Sequence, residues 1–398
     1  MFGRERVKMA DICVIGGGAA GMAAAVAARM ENPDISICIL EKNGAAGKKL
    51  LATGNGRCNF TNTSCGSSSE TMRFLQKLGI KARVEQQGRV YPYSGRAEDV
   101  LNAFEIYINS HNIEVVPHFA AESIVFEENG KITVYDAKRK AIAGKALIAT
   151  GGKAAPQFGC TGDGYNLARG AGHSLTKIMP ALSPVECIGN FEKLKGIRAK
   201  ASVSLVKKDE NILTEDGEVQ FTEYGLSGIC VFNLSRYIRL DDCGFKDYEI
   251  AIDLMAEVGE DELEAELKSR RDDLGITPGN LLMSLVPGPL SGYVLAAAGI
   301  KYDAESVDGP KIKAIAAAMK NLIFTVSNVK GWQYAQCTSG GIPLSEINSD
   351  TMESKIVRGL YFAGEIIDYD GPCGGYNLNN AWETGVKAGK AMADVQNS

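Results

Sequence analysis

Ile12-Cys13-Val14-Ile15-Gly16-Gly17-Gly18-Ala19-Ala20-Gly21 sets an apolar run directly ahead of glycines at GxGxxG spacing, with Gly16, Gly18 and Gly21 in the fingerprint positions. A short apolar run of this kind suits a strand buried on both faces of a parallel sheet. The Ala-rich residues that continue through Arg29 favour a helix. Ile35-Ser36-Ile37-Cys38-Ile39-Leu40 reads as a second strand ending at Glu41, twenty residues past Gly21. That separation is expected of a carboxylate that accepts hydrogen bonds from a ribose diol. Each glycine has its own reason. Gly16 permits the tight turn, Gly18 lets backbone N–H groups approach a pyrophosphate, and Gly21 lets helix and strand pack closely. The positive end of the helix then faces the anion. The segment predicts a dinucleotide site drawing on Gly16, Gly18, Ala19, Ala20, Gly21, Glu41 and Lys42. A glycine-rich turn with a solvated acid at a strand end is the plain alternative.

The other end of the chain carries a second half. Gly359-Leu360-Tyr361-Phe362-Ala363-Gly364-Glu365 is an apolar strand running into a small turn and an acid. It resembles the second signature of two-dinucleotide flavoproteins, in which the acid meets the flavin ribitol. Asp370-Gly371-Pro372-Cys373-Gly374-Gly375-Tyr376-Asn377-Leu378 leads into a helix expected from Asn379 to about Val395. Its free N–H groups behind Gly374 and Gly375 would face a ligand, and its positive pole would favour an anionic reduced ring. A helix start with a loose glycine turn is the alternative. Lys145-Ala146-Leu147-Ile148-Ala149-Thr150-Gly151-Gly152 reads as a strand leaving the sheet at Thr-Gly-Gly, and Thr161-Gly162-Asp163-Gly164-Tyr165 precedes a further helix. Asp163 also suits a helix cap.

With these motifs in place, the chain resembles bacterial flavoproteins of the aminoacetone oxidase and bile-acid delta-4,6-reductase-like family. Gly47-Lys48-Lys49-Leu50-Leu51-Ala52-Thr53-Gly54-Asn55-Gly56-Arg57-Cys58-Asn59 and Gly88-Arg89-Val90-Tyr91-Pro92 carry the likeness most specifically, with Thr161 to Tyr165, Thr351-Met352-Glu353-Ser354-Lys355 and Gly374 to Leu378. The resemblance implies FAD in a three-layer, glutathione-reductase-type Rossmann-like domain without disulfide chemistry. It implies that Thr53, Gly54, Asn55, Gly56, Arg57, Cys58 and Asn59 line the isoalloxazine, with Lys48 also in the cofactor set. It further implies that Ala121, on the strand preceding Ile124, meets the adenine through its backbone. Thr150, Gly151, Gly152, Thr161, Asp163, Gly364, Glu365, Gly374, Gly375, Tyr376 and Asn377 complete the expected cofactor set. Glu223 stands where the family's motif often has His.

Composition bounds the rest. Lys plus Arg is 43 and Asp plus Glu is 48, a net charge of −5, which argues against a nucleic-acid surface. Ten Cys occur without CxxC spacing, so they read as reduced thiols of a cytoplasmic protein. Arg4, Arg6 and Lys8 precede an apolar stretch, but Asp11 and four glycines argue against a signal or membrane helix. The α/β domain is expected at 1–186 and 343–398. It would be interrupted by an antiparallel barrel-like insert at 187–256 and 323–342, with a helical subdomain at 257–322. Alternation at Ala201–Val206 and a turn at Glu215-Asp216-Gly217 suggest the barrel. Cys65-Gly66-Ser67-Ser68-Ser69 reads as a mobile loop.

No second strand–GxGxxG–helix–acid unit appears, so NAD(P)H is expected only as a transient donor. Arg57 and Tyr91 are the candidate catalytic residues: a guanidinium near the ring neutralises charge or orients a carbonyl or carboxylate. A structural arginine and a packed tyrosine are the alternatives. Cys58 lacks a partner for nucleophilic work. His173 is a candidate proton donor or a helix-end cation. No clustering of His111 or His118 suggests a metal. The expectation is a flavin oxidoreductase acting on a small organic substrate, either a conjugated enone or, with O2, a small amine. A flavin protein whose redox state acts on a partner or RNA is the alternative. The oligomeric state stays open.

Overall fold

Ile12, Cys13, Val14 and Ile15 are fully or almost fully buried, at the centre of a seven-stranded sheet. The structure is a computed structural model that describes residues 5–238, 244–274 and 276–394; Arg4, Cys243 and Val395 lie outside them. The first strand is longer than its apolar core, running Glu5–Ile15. On one side it pairs in parallel with Ile37–Leu40, which pairs with Glu114–Val116. On the other it pairs in parallel with Arg139–Ile148. The far edge of that strand is shared. Its last residues pair in parallel with Leu360–Phe362, and its first residues pair antiparallel with Ile132–Tyr135, followed by Ser123–Phe126. A five-stranded parallel sheet and a meander thus meet on one strand.

Two helices from opposite ends of the chain cover this sheet together. Ala19–Glu31 is buried from Ala20 through Ala28, and it packs along Tyr376–Ala393. Small residues make the approach possible: a Cβ on Gly385 or Gly389 would lie 2.4 or 2.2 Å from the carbonyl oxygens of Ala20 and Ala24. Trp382 stacks on Phe104 of the helix Ala97–Ser110, with ring centroids 5.2 Å apart. Lys145 donates to the carbonyls of Met392 and Asp394, closing the carboxyl end of the last helix with a cation.

The chain divides into two compact units, Met1–Pro180 with Gln336–Ser398, and Ala181–Ala335. The second is a closed six-stranded antiparallel barrel in the order Val185–Cys187, Gly225–Ser227, Glu210–Thr222, Arg198–Lys207, Tyr248–Asp253 and Leu322–Val329. Helices Glu260–Leu274, Gly288–Ala297 and Gly309–Lys320 come between its last two strands and share its core. The turn expected at Glu215-Asp216-Gly217 is instead the middle of a thirteen-residue strand. Gly217 is small there because Cys230 of the helix Ile229–Ser235 would be 3.2 Å from its Cβ. The chain turns at Lys208 and Asp209, both with positive φ. The loop expected at 65–69 also differs. A helix starts at Ser68, and Ser67 is bonded by Asn379 and Glu383 of the last helix.

Candidate active site

Gly16 leaves the first strand with φ +107°, and a Cβ there would fall 2.5 Å from the carbonyl of Ala149. At Gly21 a Cβ would fall 2.0 Å from the carbonyl of Gly16, so the helix sits directly on the turn. Gly18 differs: nothing lies within 4 Å of its Cβ position. Gly18 is also the N-cap of Ala19–Glu31, with no side chain capping the helix. The first N–H groups of that helix have no side-chain cap, and Gly18 leaves open space at the helix end. Glu41 is buried and accepts from the N–H of Gly17 at 2.9 Å and from Asn43 at 2.7 Å. The acid is held at the turn by the backbone it serves.

Lys42, the next residue, donates to Thr161 and Asp163, both 2.5 Å away, and Thr161 donates to Asp163 at 2.8 Å. Burial works to raise the Asp163 carboxyl, but the bonds from Lys42 and Thr161 outweigh it and hold it below its ordinary value. Asp163 opens the helix Asp163–Gly170, so its charge also suits the helix end. Ala121 lies in a loop two residues before Ser123–Phe126, not on a strand, and its backbone groups bond to no described residue. The loop passes Phe119, whose N–H donates to the carbonyl of Glu41.

Thr150, Gly151 and Gly152 leave the sheet beside the Gly16 turn. A Cβ on Gly152 would meet Thr338 at 2.3 Å and Glu365 at 2.8 Å. Glu365 accepts from the Thr338 N–H at 2.9 Å and pairs with Lys49 at 2.6 Å. Burial disfavours the Lys49 charge, yet Glu365 overrides it and raises the ammonium above its ordinary value. Lys48 is exposed, so of the adjacent lysines it is Lys49 that reaches the acid. Gly364 packs against Ala20 of the first helix, 2.8 Å from its Cβ position. Gly375 caps the last helix with φ +104°, and a Cβ there would fall 2.4 Å from the carbonyl of Thr61. Asn377 binds both backbone groups of Gly371 at 2.8 Å, so its side chain shapes the glycine turn. Tyr376 is half-buried beside Gly371.

Thr53 to Asn59 forms a tight loop with positive φ at Gly54, Asn55, Gly56 and Cys58. Gly54, Asn55 and Gly56 are exposed, whereas Cys58 and Asn59 are buried. The Cys58 thiol is fully buried, and burial pushes it up to about 12, so it stays protonated and inert. Asn59 accepts from the Val90 N–H. Arg57 pairs with Glu85 and lies 4.1 Å over the Tyr91 ring. Together with Gln86 and Arg89 these residues line a cavity of about 390 Å³. The sequence reading named Arg57 and Tyr91 but missed Glu85 and Arg89, although Arg89 stands in the quoted Gly88–Pro92 motif. His173 closes the helix Asp163–Gly170, its N–H donating to the carbonyl of Ala168. It is buried, with Nδ1 2.8 Å from Glu346 and Nε2 2.7 Å from the Ser354 hydroxyl. Both ring nitrogens are occupied by structural partners.

These residues fit FAD. The open space over Gly18 and the uncapped helix end would take the diphosphate, the acid at the second strand the ribose, and the unbonded backbone of Ala121 the adenine. Glu365 and the glycine turn before the last helix are left for the flavin half. Fold and site together define an FAD-dependent oxidoreductase. Residues 66–391 match the HI0933-like protein Rossmann domain family, and the chain belongs to that family. It is 32% identical to a 3-dehydro-bile acid delta(4,6)-reductase of Clostridium scindens, over 97% of this chain and 100% of that one. It is 26% identical to a ribosomal RNA dihydrouridine synthase of Haemophilus influenzae, over 93% of this chain and 95% of the other. The open conformation of a flavocytochrome c3 fumarate reductase shares the fold at a TM-score of 0.51 and 16% identity, over 98% of this chain and 78% of that one.

Proposed function

We propose that the protein reduces a carbon–carbon double bond conjugated to a carbonyl in a small organic substrate, with NAD(P)H as a transient donor. The supporting observation is chemical. The two relatives bear names for saturating such a bond, in a 3-oxo steroid in one case and in a uracil ring in the other. FAD, when bound, supplies the hydride transfer. The chain's residues supply placement and charge. The Arg57 guanidinium, fixed between Glu85 and the Tyr91 ring, stabilises negative charge on the substrate's carbonyl oxygen. The Tyr91 hydroxyl donates the proton to the carbon next to that carbonyl. Glu365, Lys49 and the 53–59 loop hold the flavin, and Glu41, Gly16–Gly21 and Ala121 hold the adenosine half.

A uridine in RNA is the competing substrate, favoured by the Haemophilus influenzae relative and opposed by the net charge of −5. Anaerobic reduction of the bound flavin by NADH or NADPH, followed by mixing with an unsaturated 3-oxo steroid, a uridine-containing RNA or O2, tests the reading. Rapid reoxidation by the steroid supports it. Preferential reoxidation by the RNA, or by O2 with aminoacetone as the better reductant, overturns it.

A further inference from the structure

Among the cations lining the cavity, Arg89 alone lacks a counter-charge. The residue is half-buried at the start of the strand Arg89–Pro92, and no described residue forms an ion pair or hydrogen bond with its guanidinium. Arg57 beside it is neutralised by Glu85. Two guanidiniums and one carboxylate leave this wall of the cavity with one net positive charge. The Arg89 Nε lies 3.8 Å from the Cβ position of Gly374, at the glycine turn where the uncapped last helix begins. Asn62 holds that arrangement, donating to the carbonyls of Gly374 at 3.1 Å and of Gln87 at 3.0 Å. A partly desolvated guanidinium with no counter-charge is unfavourable unless an anion completes it. Its planar fork matches a carboxylate through two parallel bonds.

We propose that Arg89 anchors a carboxylate borne by the substrate, so that the protein takes a carboxylic acid whose enone lies some distance from the acid group. The reduction step rests on the function proposed above; the anion contact itself does not. The chain's negative charge disfavours a polyphosphate partner and leaves a small acid as the occupant.

The test uses the full-length, FAD-loaded protein and 3-oxocholanic acid, a saturated ligand that cannot be reduced, alongside its methyl ester. Binding is read from the shift of the flavin absorption band. The wild type is expected to bind the acid roughly tenfold to a hundredfold tighter than the ester. Arg89→Gln is expected to abolish that preference with flavin content unchanged, and Arg89→Lys to restore part of it. Equal affinity of the wild type for acid and ester overturns the proposal whether or not either variant folds. So does an unchanged acid-to-ester ratio in Arg89→Gln, or loss of flavin from that variant, which would assign Arg89 to the cofactor. Tight Arg89-dependent binding of the acid without reduction of its unsaturated analogue would leave the anchor standing and remove the reaction. Reduction of acid and ester analogues with the same KM would do the opposite.

Discussion

Replacing Gly389 by alanine tests the seam on which the cofactor site is built. The new Cβ would lie 2.2 Å from the carbonyl oxygen of Ala24, about 1.2 Å inside ordinary contact at 3.4 Å. The obstructing atom is backbone in a fully buried helix, so relief requires the two helices to move apart rather than a side chain to swing. Overpacking of this kind costs ~1–3 kcal/mol, to which loss of the close helix contact adds. The alanine recovers ~1 kcal/mol of helix propensity. Overpacking less this recovery is a net loss of up to ~2 kcal/mol in unfolding free energy, to which the lost helix contact adds. Because the same helix carries Gly18, Ala19 and Ala20, the proposed diphosphate contacts, flavin retention is expected to fall as well. Denaturant unfolding gives the first quantity, and the ratio of flavin to protein absorption after purification gives the second. Gly170→Ala is the control. It ends the helix Asp163–Gly170 with nothing within 4 Å of its Cβ position, so it should be neutral or slightly stabilising. If Gly389→Ala were as stable as the wild type and kept its full flavin, the seam would not be tight and the reasoning would fail.

Glu41→Gln is expected to weaken FAD binding by roughly tenfold or more, because an amide cannot accept at every position where the carboxylate faces a donor; quenching of FAD fluorescence on titration measures it. His173→Leu removes one partner each from Glu346, which keeps Ser174, and from the Ser354 hydroxyl, which keeps the Ile356 and Val357 N–H groups, and should cost ~1–3 kcal/mol in all, while the folded variant keeps its turnover. A fall in kcat without loss of stability would return His173 to the chemistry. Burial holds the thiols of Cys58 and Cys187 up to about 12 and that of Cys230 up to about 11, against 9.0 in an open chain. Between those values the native state binds more protons than the unfolded one. Stability should therefore be intact below pH 9 and decline as pH rises toward 12, which denaturant midpoints at rising pH will show.

The features legible in the sequence are those whose physics is local. Gly16, Gly18, Gly21 and Glu41 sit within one strand–helix–strand unit, so their spacing alone carries the geometry. Features set by packing were hidden. Lys48 and Lys49 are neighbours on a five-residue helix, and only the phase of that helix sends Lys49 to Glu365. Gly217 looks like a turn residue because glycine is common in turns, but here it admits the Cys230 side chain within a strand. The 65–69 loop looked free because its partners, Asn379 and Glu383, lie more than three hundred residues away. Arg89 was invisible as a site for a stronger reason. Its interest lies in a missing partner, and the want of a counter-charge is defined only once the neighbours are placed.

The pairing of the chain's two ends shows how these levels connect. Ala20 and Ala24 are four apart, as are Gly385 and Gly389, so each helix carries a stripe of small residues on one face. Neither stripe alone says what it meets, since small residues on a helix also serve propensity or mere tolerance. Matched, they let backbone approach backbone along the seam, and Gly364 enters the same contact against Ala20. That brings the turn carrying Glu365 to the helix end carrying Gly18. The last helix also brings Gly375 against Thr61, which fixes the glycine turn next to the strand that begins with Arg89. The proposed diphosphate, ribitol and anion sites thus share one mechanical origin. A change at the seam should disturb all of them together, whereas a change at Arg89 should disturb only the last.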